Sequence, residues 1–206
     1  MTEINKLSQI QLDMLKETGN IGSSHAATAI SQMIKRQIDI SVPETKISEI
    51  DGLLDTLLEF NEDEKELIGD YFELSEPLFG SVLFLFNHKS ALALSDILQG
   101  KEQGDTEEIG SLEKSSIMEL GNIVVSAYAN ALSKMIDMKI LLTPPSFVHS
   151  FPEEIIKDIV GIVGKDTTHA LIFDTEFKEK TNLFKSYFIL IPSQNSLNIL
   201  IDKLIK

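Results

Sequence analysis

Two stretches of the sequence superimpose at a constant offset of 102 residues (position 17 onto position 119), and this constrains the fold more than any other feature. Glu17 falls on Glu119, Gly19 on Gly121, Asn20 on Asn122 and Ile21 on Ile123. Farther along the same register Ser31 meets Ser133, Met33 meets Met135 and Pro43 meets Pro145. A unit that occurs twice predicts two like supersecondary structures.

The stretch from Gly100 to Gly110 is polar and glycine-rich, so it reads as a loop. It joins repeats of about 8–100 and 111–206, which together are expected to form one domain over 1–206. The hydrophobic pattern predicts the same element order in each half. A long lead helix comes first (about Ser8–Arg36, then Leu112–Ile136), followed by an extended segment (Ile38–Ile50, Met138–Phe151). A short amphipathic helix follows (Leu53–Glu59, Glu153–Val160). Two strand-like runs come next, Tyr71–Ser75 with Phe79–Phe86 and Thr168–Phe173 with Phe184–Ile191. A helix closes each half, His88–Leu98 or Ser193–Ile205. Gly161 to Gly164 is expected to be a loop, and the acidic run from Asn61 to Glu66 a solvated loop or helix end. The fold class is α/β, an α+β sandwich with pseudo-twofold symmetry, its two lead helices packed on a mainly antiparallel sheet. The two sheets are expected to join, because pairing removes an exposed edge from each.

Each lead helix carries two stripes. Leu15, Gly19, Gly22, Ala26, Ala29 and Met33 are apolar or small at a spacing of three and four, as are Ile117, Gly121, Val124, Tyr128, Ala131 and Met135. That spacing marks a buried face, and Met14, Met33, Met118 and Met135 are expected in the core. Glycine inside a helix costs about 1 kcal/mol relative to alanine, so Gly19 and Gly121 imply close packing. The second stripe is polar: Asp13, Glu17, Asn20, Ser24 and, in the other half, Ser115, Glu119, Asn122, Ser126. Its members sit two positions from the apolar stripe, about 200° around the helix, and so point away from the core. The surface around them has diverged, with Lys16 facing Met118 and Thr18 facing Leu120, while the Glu and Asn positions match.

Charge and composition exclude several functions. The 206-residue chain has a formal net charge of −14, which repels nucleic-acid phosphates and anionic membrane surfaces and attracts basic patches on proteins. There is no cysteine, so disulfides, thiolate metal sites and cysteine nucleophiles are excluded. No apolar run approaches the ~20 residues that span a bilayer, and the first residues are too highly charged for a secretory signal. A cytoplasmic location is expected. His25, His88, His149 and His169 lack metal-ligand spacing, and no phosphate-binding glycine loop or zinc-protease motif is present.

The pattern Asp/Ser-x3-Glu-x2-Asn-x22-Pro resembles the signature of the CheC/CheX/FliY phosphatases. Asp13, Glu17, Asn20 and Pro43 match it once, and Ser115, Glu119, Asn122 and Pro145 match it again. Two copies in a chain that closes on a helix at Lys206 make the likeness one to CheC rather than to the shorter CheX or the extended FliY. The resemblance implies hydrolysis of the aspartyl-phosphate of a chemotaxis response regulator, CheY. It implies that Asn20 and Asn122 position the attacking water. Glu17 and Glu119 then pair with the regulator's active-site lysine, and Asp13, Ser115, Pro43 and Pro145 support the sites. A carboxamide offers an acceptor and two donors without charge, so it orients water without being a strong base. The resemblance implies no cofactor on this chain, with Mg²⁺ expected in the regulator's own site. It also implies a receptor deamidase of the CheD type as a second partner. The alternative is a non-catalytic adaptor that binds the phosphorylated regulator or controls that deamidase.

Overall fold

A computed structural model describes residues 9–61, 66–163 and 167–204. The first repeat runs α1 (Gln9–Ile34), β1 (Asp39–Ser41), β2 (Thr45–Glu49), α2 (Leu53–Phe60), β3 (Leu67–Ser75), β4 (Gly80–Phe86) and α3 (His88–Leu98). The second runs α4 (Ser111–Ile136), β5 (Leu141–Leu142), β6 (Ser146–Ser150), α5 (Pro152–Val163), β7 (His169–Glu179), β8 (Asn182–Pro192) and α6 (Gln194–Leu204). The order in the second repeat is that of the first, as the offset predicts.

The strands form one eight-stranded sheet in the order β1-β7-β8-β4-β3-β5, with β2 also on β7 and β6 also on β3. Every pairing among the described residues is antiparallel. The hairpins join through β4 and β8, from Gly80 opposite Pro192 to Phe86 opposite Ser186. All but the first residue of β4 is buried, as expected of a central strand covered on both faces. The edge strands are exchanged: β1 and β2 of the first repeat bond to β7 of the second, while β5 and β6 of the second bond to β3 of the first. Pro43 lies between β1 and β2, and Pro145 between β5 and β6. Neither can donate a ladder hydrogen bond, so each breaks the outer edge into two short strands.

Side chains alternate across the sheet. Phe84 and Phe86 face a core with Leu15, Ile30, Ile117, Val124 and Tyr128 of the lead helices. Leu83 and Leu85 face a second core with Leu53 and Leu57 of α2 and Ile155 and Ile159 of α5. Helices therefore cover both faces, the lead helices one and the short amphipathic helices the other.

The structure departs from the sequence expectations in four places, the first being β3, which begins at Leu67 rather than Tyr71 because Gly69 and Asp70 pair with Val148 and Phe147 of β6. The buried side of α1 runs Leu15, Gly19, Gly22, Ala26, Ile30, while Ala29 and Met33 are exposed. Near its end α1 rolls toward β1, where Ser31 Oγ accepts the Ile38 N–H at 3.0 Å and Ile30 joins Ile38 in the core. Met14 is exposed as well, beside Glu17 rather than in the core. Helix α5 continues through Gly161 to Val163 because Ile159 anchors it and the glycine is open to solvent. Gly164 lies outside the described residues, as do Ser8, Ile205 and most of the acidic run. Strands β7 and β8 extend to a two-residue turn at Lys180 and Thr181. Polar residues alternating with buried ones in the second half of β7 hide that extension from a search for apolar runs.

Candidate active sites on the paired lead helices

Helices α1 and α4 pack against each other on the sheet. A side chain on Gly22 would press on the backbone of Tyr128, its Cβ 3.0 Å from the Tyr128 Cα, so the glycine permits the crossing. Beside it the hydroxyls of Ser23 and Tyr128 meet at 2.6 Å, and Tyr128 reaches Thr175 of β7 at 3.2 Å. Burial pushes the Tyr128 phenol above its usual range, so the group acts as a neutral clasp between the two helices and the sheet.

The polar stripes lie on the opposite side. Asp13, Glu17, Ser24, Ser115, Glu119 and Asn122 are exposed, while Asn20 and Ser126 are half-buried. Each Glu stands three residues before its Asn, one helical turn apart on one face. Exposed apolar side chains rim the first pair: Ile10 (71% exposed), Met14 and Ile21 on α1.

The two asparagines are held differently. Asn20 Oδ1 accepts the Val42 backbone N–H at 3.0 Å, which fixes the carboxamide and leaves both Nδ2 hydrogens and an oxygen lone pair available. At the offset of 102, Val42 becomes Pro144, which has no N–H to give. Asn122 makes no side-chain hydrogen bond among the described residues. Pro43 and Pro145 thus stand beside the backbone segment that does or does not hold the asparagine. The Ser115 hydroxyl donates to Ser111 O at 2.9 Å.

The start of α4 is anchored by Glu113. Its Oε1 accepts from Gln99 Nε2 at 3.0 Å and Lys101 Nζ at 3.1 Å, and its Oε2 accepts the Gly110 N–H at 3.1 Å. The Gln99 bond, then the backbone bond, then Lys101 hold the carboxyl down at about 2. The folded-state value is depressed, so this stability is present above the unfolded value of 4.5 and is lost as pH falls toward 2. Glu113→Gln is expected to lower the unfolding free energy at pH 7, read from urea unfolding, by about 1–3 kcal/mol for a charged hydrogen-bonded group. The gap between variant and parent should narrow in acid, and an equal gap at both pH values would contradict this role.

The structure also places a residue at the second site that sequence reasoning missed. Asp70 of β3 is fully buried, and neither of its oxygens has a hydrogen-bond partner among the described residues. It lies directly under Gly121, between Glu119 and Asn122, where a Cβ on Gly121 would collide with its carboxylate. The signal was available: Asp70 is the one acid inside the run from Leu67 to Phe72. Its neighbour Gly69 is required, because a side chain there would strike the Phe84 carbonyl.

Fold and sites together define a duplicated α/β protein with a Glu-x2-Asn pair displayed on each of two lead helices. The CheC-like family model matches residues 10–47 and 112–149, two segments separated by the same offset of 102 and carrying both pairs. Both segments are CheC-like, and the chain is homologous to members of that family. It is 26% identical over 200 residues to the CheY-P phosphatase CheC of Bacillus subtilis (strain 168), covering 95% of this chain and 94% of that protein. It is also 26% identical over 144 residues to the flagellar motor switch phosphatase FliY of the same organism, 69% of this chain but 36% of that protein. The crystal structure of Thermotoga maritima FliY has the same fold, with a TM-score of 0.77 at 19% identity over 97% of this chain and 98% of that one. No described helix is long and apolar enough to cross a membrane.

Proposed function

We propose that this protein is a phosphatase for the aspartyl-phosphate of the chemotaxis response regulator CheY. It would work as one domain with two sites, Glu17 with Asn20 and Glu119 with Asn122. The observation that carries the reading is the Asn20 carboxamide, exposed enough to meet a partner yet held by the Val42 N–H beside an exposed Glu17. The relatives' names, given to proteins with that activity, support it.

A docked regulator brings its own Mg²⁺ and lysine, which neutralise the phosphoryl oxygens. This chain adds position. Glu17 or Glu119 pairs with the lysine and sets the register, while Asn20 or Asn122 holds a water in line with the bond to be broken. The water oxygen bonds to phosphorus as the bond from phosphorus to the aspartyl oxygen breaks. The carboxylate leaves, and the water's proton passes to the phosphate. Holding one reactant in place is a large part of any such acceleration. Ile10, Met14 and Ile21 supply apolar contact around the first site. Asp13, Ser115 and the two prolines have supporting roles. A CheD-type deamidase is a second proposed partner, on the family resemblance alone.

The test is decay of phosphorylated regulator with this protein in catalytic amount and Mg²⁺ present. Faster decay with turnover is expected. Slowed decay would sink the phosphatase and leave an adaptor that shields the phosphoryl group, and unchanged decay would sink it and leave an adaptor that binds the regulator or the deamidase without affecting hydrolysis.

A further inference from the structure

The two repeats differ beneath their sites. Strand register makes Asp70 the counterpart of Phe173: Thr45 pairs with Phe173, and Phe147, its equivalent at the offset, pairs with Asp70. The glycines agree, since a Cβ on Gly19 would lie 3.1 Å from the Phe173 ring while one on Gly121 would meet the Asp70 carboxyl. The first site therefore rests on an aromatic ring and the second on an acid. A buried carboxyl without a partner is costly, and an apolar side chain fits the same place in the other half.

We propose that Asp70 is a positioning residue for the second site: its neutral carboxyl props the Glu119–Asn122 turn of α4, and acquiring a charge there displaces that turn and closes the second site alone. The proposal rests on the phosphatase reading for its activity consequence. Burial alone raises the carboxyl from 3.8 to about 8, so it is neutral at pH 7. On α4 the nearest charged positions are Glu119 and Lys114; β6 carries His149; α3 carries His88, Lys89 and Asp96; β4 and β5 carry none. The cause of the shift is burial. When it ionises, the backbone of Gly121 gives it no compensating donor, because helix N–H groups are already engaged. The relief available is movement of α4 away from β3, which carries Glu119 and Asn122 out of register.

The experiment uses the full chain with one site disabled at a time. Asn20→Ala leaves the second site and Asn122→Ala leaves the first. Both are assayed on the same phosphorylated regulator from pH 6.5 to 9.5, so the regulator's own pH dependence cancels in the ratio of the two rates. The second-site share is expected to fall about tenfold by one pH unit past half-ionisation, and Asp70→Asn is expected to make the ratio flat. A flat ratio with Asp70 present, or a fall that survives Asp70→Asn, overturns the proposal. Hydrogen exchange at amides 119–122 relative to 17–20 gives a readout independent of activity. Protection lost selectively above pH 8, and restored by Asp70→Asn, supports the prop even if neither variant accelerates decay; that last result would count against the phosphatase reading alone. Protection unchanged across this range overturns the prop. Should Asp70→Asn fail to fold, persistence of a protonated-carboxyl infrared band at pH 7 in the parent, lost by pH 9, supports the proposal, and its absence overturns it.

Discussion

Replacing Asn20 and Asn122 together by alanine is expected to return the decay of phosphorylated regulator to its intrinsic rate. The acceleration lost should be about 100-fold, the scale of effect when a reacting group is no longer held in place. Both side chains stand on the outer face of their helices, and among the described residues the Asn20 carboxamide has one hydrogen bond to lose, that from Val42. The double variant should therefore keep its fold, which circular dichroism would verify beside the decay assay. Regulator binding should survive, because Glu17, Glu119 and the apolar rim remain. Each single variant should retain the share of the intact site. Full activity in the double variant would remove the carboxamides from the mechanism and leave the glutamates as the only candidates.

The second large effect is on stability. The folded-state value of Asp70 lies above its ordinary one, so between them the folded chain holds a proton that the unfolded chain releases. Stability must then fall as pH rises from 3.8 to about 8. Each pH unit inside that window contributes about 1.4 kcal/mol, or roughly 3 kcal/mol from pH 5.5 to 8. Asp70→Asn has no proton to lose, so its stability relative to the parent should climb by that amount over the same range. Urea unfolding at several pH values measures it, and the range stays above the isoelectric point of about 4.6, where the chain loses its net charge. A difference between variant and parent that does not change with pH would show that Asp70 is not neutral in the folded protein.

Much of this was legible in the sequence, because a repeat is a statement about geometry made twice. The lead helices, the hairpins and the exposure of Glu17, Glu119 and Asn122 follow from spacing, since helix periodicity alone sets which side chains share a face. What spacing does not contain is contact between distant segments. The hydrogen bond from Val42 to Asn20 depends on how β1 leaves α1, and its absence at Asn122 becomes visible only when Pro144 is set on Val42. Asp70 was hidden for a similar reason. Acids are rare in strands, and a strand-like run begun at Tyr71 leaves Asp70 just outside it until Phe84 and Phe147 are seen on either side. Ala29 and Met33 went astray because a helix stripe assumes a single partner, whereas α1 meets α4 along one length and β1 along another.

The exchange of edge strands says something about ancestry and freedom. A chain of one repeat would own a hairpin without its edge and an edge without its hairpin. Two such chains could complete each other as a homodimer, whose protomers by symmetry must carry identical sites. Joining them through the 100–110 loop replaces assembly from solution with an intramolecular search at millimolar effective concentration. It also lifts the identity requirement. Proline can then stand where valine does in the other half, and aspartate where phenylalanine does, each under one site only. Fusion would let one molecule carry the Glu-x2-Asn pair twice and vary what lies beneath each copy.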